Sequence, residues 1–445
     1  MARIPARVAA VLLGAAAIVG GFLSAAPSAQ APTGTIALTN ARVFDGTGRA
    51  PIENATVLVV NGKIQEVGPA VKVPAGATRV DARGKTIIPG LINAHGHVDA
   101  ARNSTEPVRE QLLTQLRMYA QYGITTAYSL GSGPNDALEG LKLRDEQERT
   151  TLNRARIYSA GLVIADTTPE AARASVDRNV DQKVDIIKIR VDGDDSNPNK
   201  MKPEIYRAVI DEAHKKGMRV ASHLYYLKDA MGLLEAGTDV IAHSVRDQDV
   251  TPAFIAAVKQ RNVGYIPTLT REISVFAYET TPTFFSDPFF LKGKSLYGKQ
   301  VAQLSDPAAQ AKVKSSPEAA NIKKALVQAK KNLKTLQDAG VAIAMGTDTG
   351  ANLLGRWQGF FEHMELEQMV EAGLTPTQAL VAATSGAAKV MKIDANLGSL
   401  QPGKWADFVV LNANPLTDIK NTRQIDSVWI GGHKLQGAAA GQTAQ

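Results

Sequence analysis

Short apolar runs alternate with helical segments between residues 86 and 391, and this predicts an α/β chain built on a (β/α)8 TIM barrel. Strand-like segments on both sides of that region predict a small composite β-sandwich formed from the two chain ends. Six residues of metal-binding type, His95, His97, Lys188, His223, His243 and Asp348, fall at or near the ends of predicted barrel strands. Active sites of that fold sit at the C-terminal strand ends, so the architecture and the chemistry point to one place.

The first 31 residues differ from the rest. Arg3 and Arg7 precede the apolar stretch from Val8 to Leu23, and small residues follow from Ser24 to Ala31. That layout predicts a signal peptide and an exported, periplasmic or secreted, protein. The alternative is a membrane anchor. It is disfavoured because the run is short for a span of about 20 residues and is broken by Gly14, Gly20 and Gly21. The chain has no cysteine, which excludes disulfides, thiolate metal ligands and a lipid anchor on Cys. Apolar residues make up 44% and charged residues 21%, ordinary for a globular protein with a large core. The net charge of +7 is spread along the chain without a basic stripe, which argues against nucleic acid as a partner.

Residues 32–85 hold candidate strands at Ile36–Leu38, Ala41–Phe44, Ala55–Val60, Lys63–Val67 and Thr78–Asp81, with Asn61-Gly62 as a hairpin turn. The barrel region, 86–391, holds eight: Ile87–His95, Ile124–Ser129, Ile157–Gly161, Asp185–Arg190, Arg219–His223, Val240–His243, Gly264–Leu269 and Ala342–Asp348. Pro203–Lys216 and Pro252–Arg261 are among the helices between them. The connection 270–340 is too long for an ordinary loop. It carries aromatic clusters around Phe284 and Phe289 and a helical pattern from about Glu318 to Ala339, and it is expected to form a lid. Thr375 to Met391 reads as one helix entered at Pro376. Trp405–Leu411 and Ser427–Ile430 read as strands that return to the N-terminal β-domain, so 392–435 completes it, and 436–445 is expected to be a disordered tail.

The chemistry follows from the ligand types. His95 and His97 lie one residue apart at the end of an apolar strand, so their side chains share a side, and neutral imidazole is the commonest metal ligand. Gly96 between them would let the backbone pass close to a metal. Lys188 sits in a β-branched run and is costly to bury unpaired. It either forms an ion pair, with Asp185 or Asp192 for example, or has reacted with carbon dioxide to give a carbamate that bridges two metals. Nitrogen and oxygen ligands suit Zn²⁺. A water held by such metals loses its proton near neutral pH, and Asp348 is placed to take that proton and deliver it to the leaving group. His214, His363 and His433 stand outside the pattern.

The segments Pro89-Gly90-Leu91-Ile92-Asn93-Ala94-His95-Gly96-His97, Gly346-Thr347-Asp348 and Gly398-Ser399-Leu400-Gln401-Pro402-Gly403-Lys404-Trp405-Ala406-Asp407 resemble the amidohydrolase superfamily. The branch is the imidazolonepropionase-like one, with its binuclear metal-dependent dipeptidases and carboxypeptidases. The resemblance runs from about residue 36 to 435. It implies that His95, His97 and Asp348 hold a more buried metal, that His223 and His243 hold a more exposed one, and that carbamylated Lys188 bridges them. Leu224-Tyr225-Tyr226-Leu227 follows His223 where one-metal deaminases of the superfamily carry a Glu, and this argues against a deaminase.

The expected activity is hydrolysis of an amide C–N bond in a peptide, N-acyl amino acid or related small molecule. An esterase, lactonase or phosphotriesterase on the same centre is the alternative, and a metal-stabilised binding protein is a more distant one. Tyr225 is a candidate donor to a substrate carbonyl or carboxylate. Arg190, Arg246 and Arg356 are candidates to grip a carboxylate through a bidentate fork. For each of these four, the alternative is a packed or salt-bridged side chain. A homo-oligomer is compatible with the sequence.

Overall fold

The computed structural model describes residues 34–101, 104–149, 151–350 and 352–436. The expected signal peptide, 1–31, and the tail beyond residue 436 lie outside the described residues.

One sheet draws on both chain ends. Thr35–Val43, Ile52–Val60, Lys63–Gly68, Thr78–Asp81 and Thr86–Pro89 join Phe408–Leu411, Ile425–Ile430 and His433–Lys434. Phe408–Leu411 connects the two sets, pairing antiparallel with Thr86–Pro89 on one side and Ile425–Ile430 on the other. The sheet forks at Thr35–Val43, which pairs with Thr78–Asp81 near its start and with Thr86–Ile87 at its end. Leu38, Val57, Ile64, Ile87, Phe408 and Trp429 form an apolar cluster of its own. Asn61 and Gly62 turn the hairpin with φ of 49° and 77°, the positive pair that a two-residue hairpin loop favours. The two short strands expected before residue 45 are one, with an irregular register between Leu38 and Ala41, where Asn40 has φ 63°.

The apolar run Ile87–His95 is two strands, not one. Thr86–Pro89 belongs to the two-ended sheet, and Leu91–His97 starts a parallel one. The chain changes sheets at Gly90, where a Cβ would lie 2.0 Å from Thr125 Oγ1, so no larger residue fits. Leu91–His97, Ile124–Ser129 and Arg156–Ser159 pair in parallel, with Thr349–Gly350 beside the first of them. A second parallel sheet holds Val163–Ile164, Ile187–Arg190, Val220–His223, Val240–Ala242 and Gly264–Ile266. Backbone bonds cross both gaps between these sheets. Asp185 donates to Ser159 O at 2.9 Å, while Tyr265 donates to Ala342 O and accepts from Ala344, both at 2.9 Å. The expected strand Ala342–Asp348 is reduced to a bridge at Ile343 followed by Thr349–Gly350, because the backbone turns left-handed at Asp348.

The helices start where the sequence marks them. Pro203–Lys215 and Pro252–Gln260 carry proline in the first turn, and Thr251 Oγ1 caps the second through Phe254 N–H at 3.2 Å. The single helix expected from Thr375 to Met391 breaks into Pro376–Ala382 and Ser385–Met391 at Thr384, whose hydroxyl bonds Leu380 O at 2.6 Å. The long connection is helical, including Leu269–Phe276 and Pro317–Asp338. Its Phe284, Phe285 and Phe290 pack on Phe360 and Trp357. Among the described residues, no helix is long and apolar enough to cross a membrane.

Candidate active site

A cavity of about 640 Å³ opens where the parallel strands end, and His95, His97, Lys188, His223, His243 and Asp348 all line it. His95 and His97 close Leu91–His97, Lys188 lies in Ile187–Arg190, and His223 closes Val220–His223. His243 follows Val240–Ala242 and Asp348 precedes Thr349–Gly350, both in left-handed backbone, with φ of 84° and 56°. Such conformations are uncommon outside glycine and cost of order 1–3 kcal/mol each, so the surrounding structure must hold them.

The imidazoles are packed together. Ring centroids of His95 and His243 are 4.6 Å apart, and those of His223 and His243 are 4.3 Å apart. One ligand atom from each of His95, His243 and Asp348 lies within 4.8 Å of the others. His97 Nδ1 is 2.8 Å from Gly131 O, a carbonyl that can only accept, so Nδ1 carries the proton. Its Nε2 is then turned to Asp348 Oδ1 at 2.8 Å. His243 Nδ1 is fixed by Thr268 Oγ1 at 2.7 Å. His95 Nδ1 is buried and makes no hydrogen bond; buried His223 Nε2 makes none either but faces Asp192 Oδ1 at 3.5 Å. Imidazoles held by one nitrogen, with the other unpartnered or aimed at a carboxylate, fit a metal site.

The electrostatics favour neutral His95, His223 and His243 around an ionised carboxylate, with His97 the exception. Burial, with Lys188 adding to it, pulls His95 down to about 3, and burial lowers His223 to about 4. Burial would lower His97 too, but its bond to Asp348 outweighs this and raises it. Burial works against ionisation of Asp348, yet Arg356, His95 and His97 together hold it well below the usual carboxylate range. Burial brings Lys188 down to about 8. The ion pair considered for Lys188 is not made: its Nζ is 3.1 Å from His95 Nε2, Asp185 is paired with Arg144, and Asp192 with Arg190.

The expected substrate residues divide. Arg190 lines the cavity, but its largely exposed side chain is paired with Asp192 at 2.5 Å. Arg356 lines it as well and bonds the Asp348 carboxylate. Arg246 and Tyr225 do not line it. Arg246 is buried, donates to the carbonyls of Leu224 and Ser244, pairs with Glu272 at 3.1 Å and lies 4.4 Å from the Tyr225 ring centroid. Its guanidinium is engaged by these carbonyls and by Glu272 and does not reach the cavity wall. Gly96 also has a different reason from the one expected. A Cβ there would meet Tyr119 Oη at 2.8 Å, so it permits close packing of strand on helix. His214 bonds Asp239 at 3.0 Å, and His363 is buried between Tyr122 O and Thr422 Oγ1.

Arg271 was not among the expected residues. It lines the cavity, shares Glu272 with Arg246, and its Nε is 3.8 Å from Asp348 Oδ2. It is the contribution of the expected lid segment to the cavity lining; the rest of that segment packs elsewhere. The strand-end rule could have found it, since Arg271 lies two residues after the predicted strand Gly264–Leu269.

Comparison with known proteins agrees with this geometry. Ochratoxinase of Aspergillus niger is 26% identical over 453 residues, covering 88% of this chain and 85% of the relative. Imidazolonepropionase of Streptomyces avermitilis is 24% identical over 390 residues, covering 83% and 84%. A prolidase-like crystal structure from Bifidobacterium longum superposes with a TM-score of 0.73 at 28% identity, covering 90% of this chain and 94% of that one. The profile of the amidohydrolase family matches residues 86–435, most of the chain, which therefore belongs to that family of hydrolases acting on carbon–nitrogen bonds.

Proposed function

We propose that this protein is an exported, binuclear metal-dependent amidohydrolase that cleaves an amide C–N bond in a peptide, N-acyl amino acid or related amide. The observation that carries the reading is the convergence of four histidines, one lysine and one aspartate on a single cavity, with His95 Nδ1 buried and without a hydrogen bond. In this reading His95, His97 and Asp348 hold one divalent ion, His223 and His243 hold a second, and a carbamate on Lys188 bridges them. Zn²⁺ suits this nitrogen and oxygen donor set.

The bound ions would supply an acidified water and polarise the scissile carbonyl. The protein's own groups do the rest. Asp348, ionised beside Arg356, accepts the proton of the attacking water and returns it to the leaving nitrogen. Lys188, neutral more readily than a free lysine, is suited to carbamate formation. Arg271 supports an anionic group on the substrate. Glu272 is one negative charge shared by two buried cations, Arg246 and Arg271, so the Arg271 guanidinium on the cavity wall is only partly compensated. A free carboxylate on the substrate would balance it.

The fold reading is a (β/α)8 barrel, supported by the backbone bonds across both gaps between the parallel sheets, with the forked sheet as a composite β-sandwich beside it. Export is supported by the sequence of residues 1–31.

The test is elemental analysis of the mature protein alongside a hydrolysis screen of dipeptides, N-acyl amino acids, esters and phosphotriesters. About two metals per chain with amide turnover is the expected result. One metal, or turnover of esters alone, would replace the reading with a mononuclear enzyme or an esterase.

A further inference from the structure

A buried carboxylate that touches no cavity residue joins the two backbone segments that carry three of the candidate ligands. Glu362, on helix Phe360–Glu371, is fully buried. Four donors surround it: Asn93 Nδ2 at 2.7 Å, Thr347 Oγ1 at 2.8 Å and Thr349 Oγ1 at 2.9 Å on one oxygen, and Gly359 N–H at 2.6 Å on the other. Asn93 in turn accepts the His95 N–H at 3.0 Å through its Oδ1. Thr347 and Thr349 flank Asp348, and the N–H groups of Thr347 and Asp348 both donate to His95 O, at 3.0 and 2.6 Å. One side chain thereby fixes the residue two before His95 and both neighbours of Asp348.

We infer that Glu362 is a positioning residue that sets the spacing of His95, His97 and Asp348 for metal, and that it does so through Asn93, Thr347 and Thr349. A carboxylate is required because all its partners can donate. A glutamine would turn an NH₂ toward either the Gly359 N–H or the cluster around Asn93, and one side of the network would face donor to donor. Groups that orient ligands from behind typically govern metal affinity by about 10–100-fold.

The inference rests on the metal-centre reading, and one experiment separates the two. Purified wild type, Glu362→Gln, Thr347→Val and His363→Gln are stripped of metal, and Zn²⁺ affinity is measured by competition with a chromogenic chelator, together with thermal unfolding. Glu362→Gln is expected to lose about 10–100-fold in affinity, and Thr347→Val, which removes one relay hydroxyl, a smaller part of that. His363→Gln alters a neighbouring buried group that bonds Tyr122 and Thr422, none of which lines the cavity, and is expected to lose stability while keeping wild-type affinity. Wild-type affinity in Glu362→Gln, or an equal loss in His363→Gln, overturns the positioning role. If Glu362→Gln does not fold, Thr347→Val decides alone, and wild-type affinity there overturns it. A wild type that binds no Zn²⁺ overturns the metal reading itself.

Discussion

Lys188 Nζ lies 3.1 Å from His95 Nε2, a buried amine set against a buried imidazole whose same nitrogen is 3.3 Å from Asp348 Oδ1. Burial brings Lys188 down to about 8, with Arg190 adding to it against Asp348, and burial together with the Lys188 charge brings His95 down to about 3. The arrangement suits an amine that becomes a carbamate. Lys188→Ala is therefore expected to retain the fold, lose one or both metals and lose turnover. Short carboxylic acids should restore part of the activity by standing in for the bridge. Elemental analysis checks it, and a full metal complement in the variant would contradict the bridging role.

Asp348 should be the most sensitive single position for turnover. Its Oδ1 contacts His97 at 2.8 Å and His95 at 3.3 Å, and Arg356 and Arg271 lie on its other oxygen. Asp348→Asn removes the charge and the proton acceptor together. General acid–base catalysis alone contributes about 10²–10⁴-fold, so kcat should fall by at least about 10²-fold. Steady-state kinetics on any amide substrate found in the screen measure it. Near wild-type kcat would remove Asp348 from the proton transfer.

Arg271 is expected to act on binding rather than on the chemical step. Arg271→Met keeps much of the apolar stem and removes the guanidinium that faces the cavity. For a substrate with a free carboxylate, KM should rise about 10–100-fold, the equivalent of ~1.5–3 kcal/mol for a hydrogen bond to a charged group. For the corresponding carboxamide, wild type and variant should differ little. An equal effect on both substrates would show that Arg271 supports the fold of the site instead of reading charge.

Much of this site could be read from residue types at strand ends. His95, His97, Lys188, His223, His243 and Asp348 each follow or interrupt a buried run, and that placement brings all six to one cavity. The hairpin at Asn61-Gly62 was equally legible, because two consecutive positive φ angles leave few residue choices. What the pattern hid were directions and boundaries. Ile87–His95 is buried throughout, so hydrophobicity gave no sign that Gly90 passes the chain between two sheets. Arg246 and Arg271 look alike in sequence. The position of Glu272 draws one into the core and leaves the other on the cavity wall. Glu362 and Glu365 have the composition of a solvated helix face, yet both are buried against the strand ends and the following turn.

The pH dependence of stability should carry a contribution from His363, which does not line the cavity. It is buried, its Nε2 faces Tyr122 O at 2.7 Å, and its Nδ1 faces Thr422 Oγ1 at 2.9 Å. A carbonyl only accepts, so Nε2–H is the donor, while Nδ1 shares the Thr422 hydroxyl with Ile419 O, which lies 2.9 Å from that hydroxyl. Burial brings its pKa from 6.5 down to about 3. Below 6.5 the unfolded chain binds a proton at this histidine while the folded protein does not, so the unfolded state is favoured progressively as pH falls from 6.5 towards 3. The contribution is complete above 6.5 and flat from there upward. Urea unfolding of the metal-free protein at pH 7.5 and 5.0 should show a larger drop in stability for wild type than for His363→Gln, even though the variant starts less stable. Parallel pH dependences in the two proteins would mean that His363 is protonated in the folded state with its bonds rearranged, and that another group sets the acid limit.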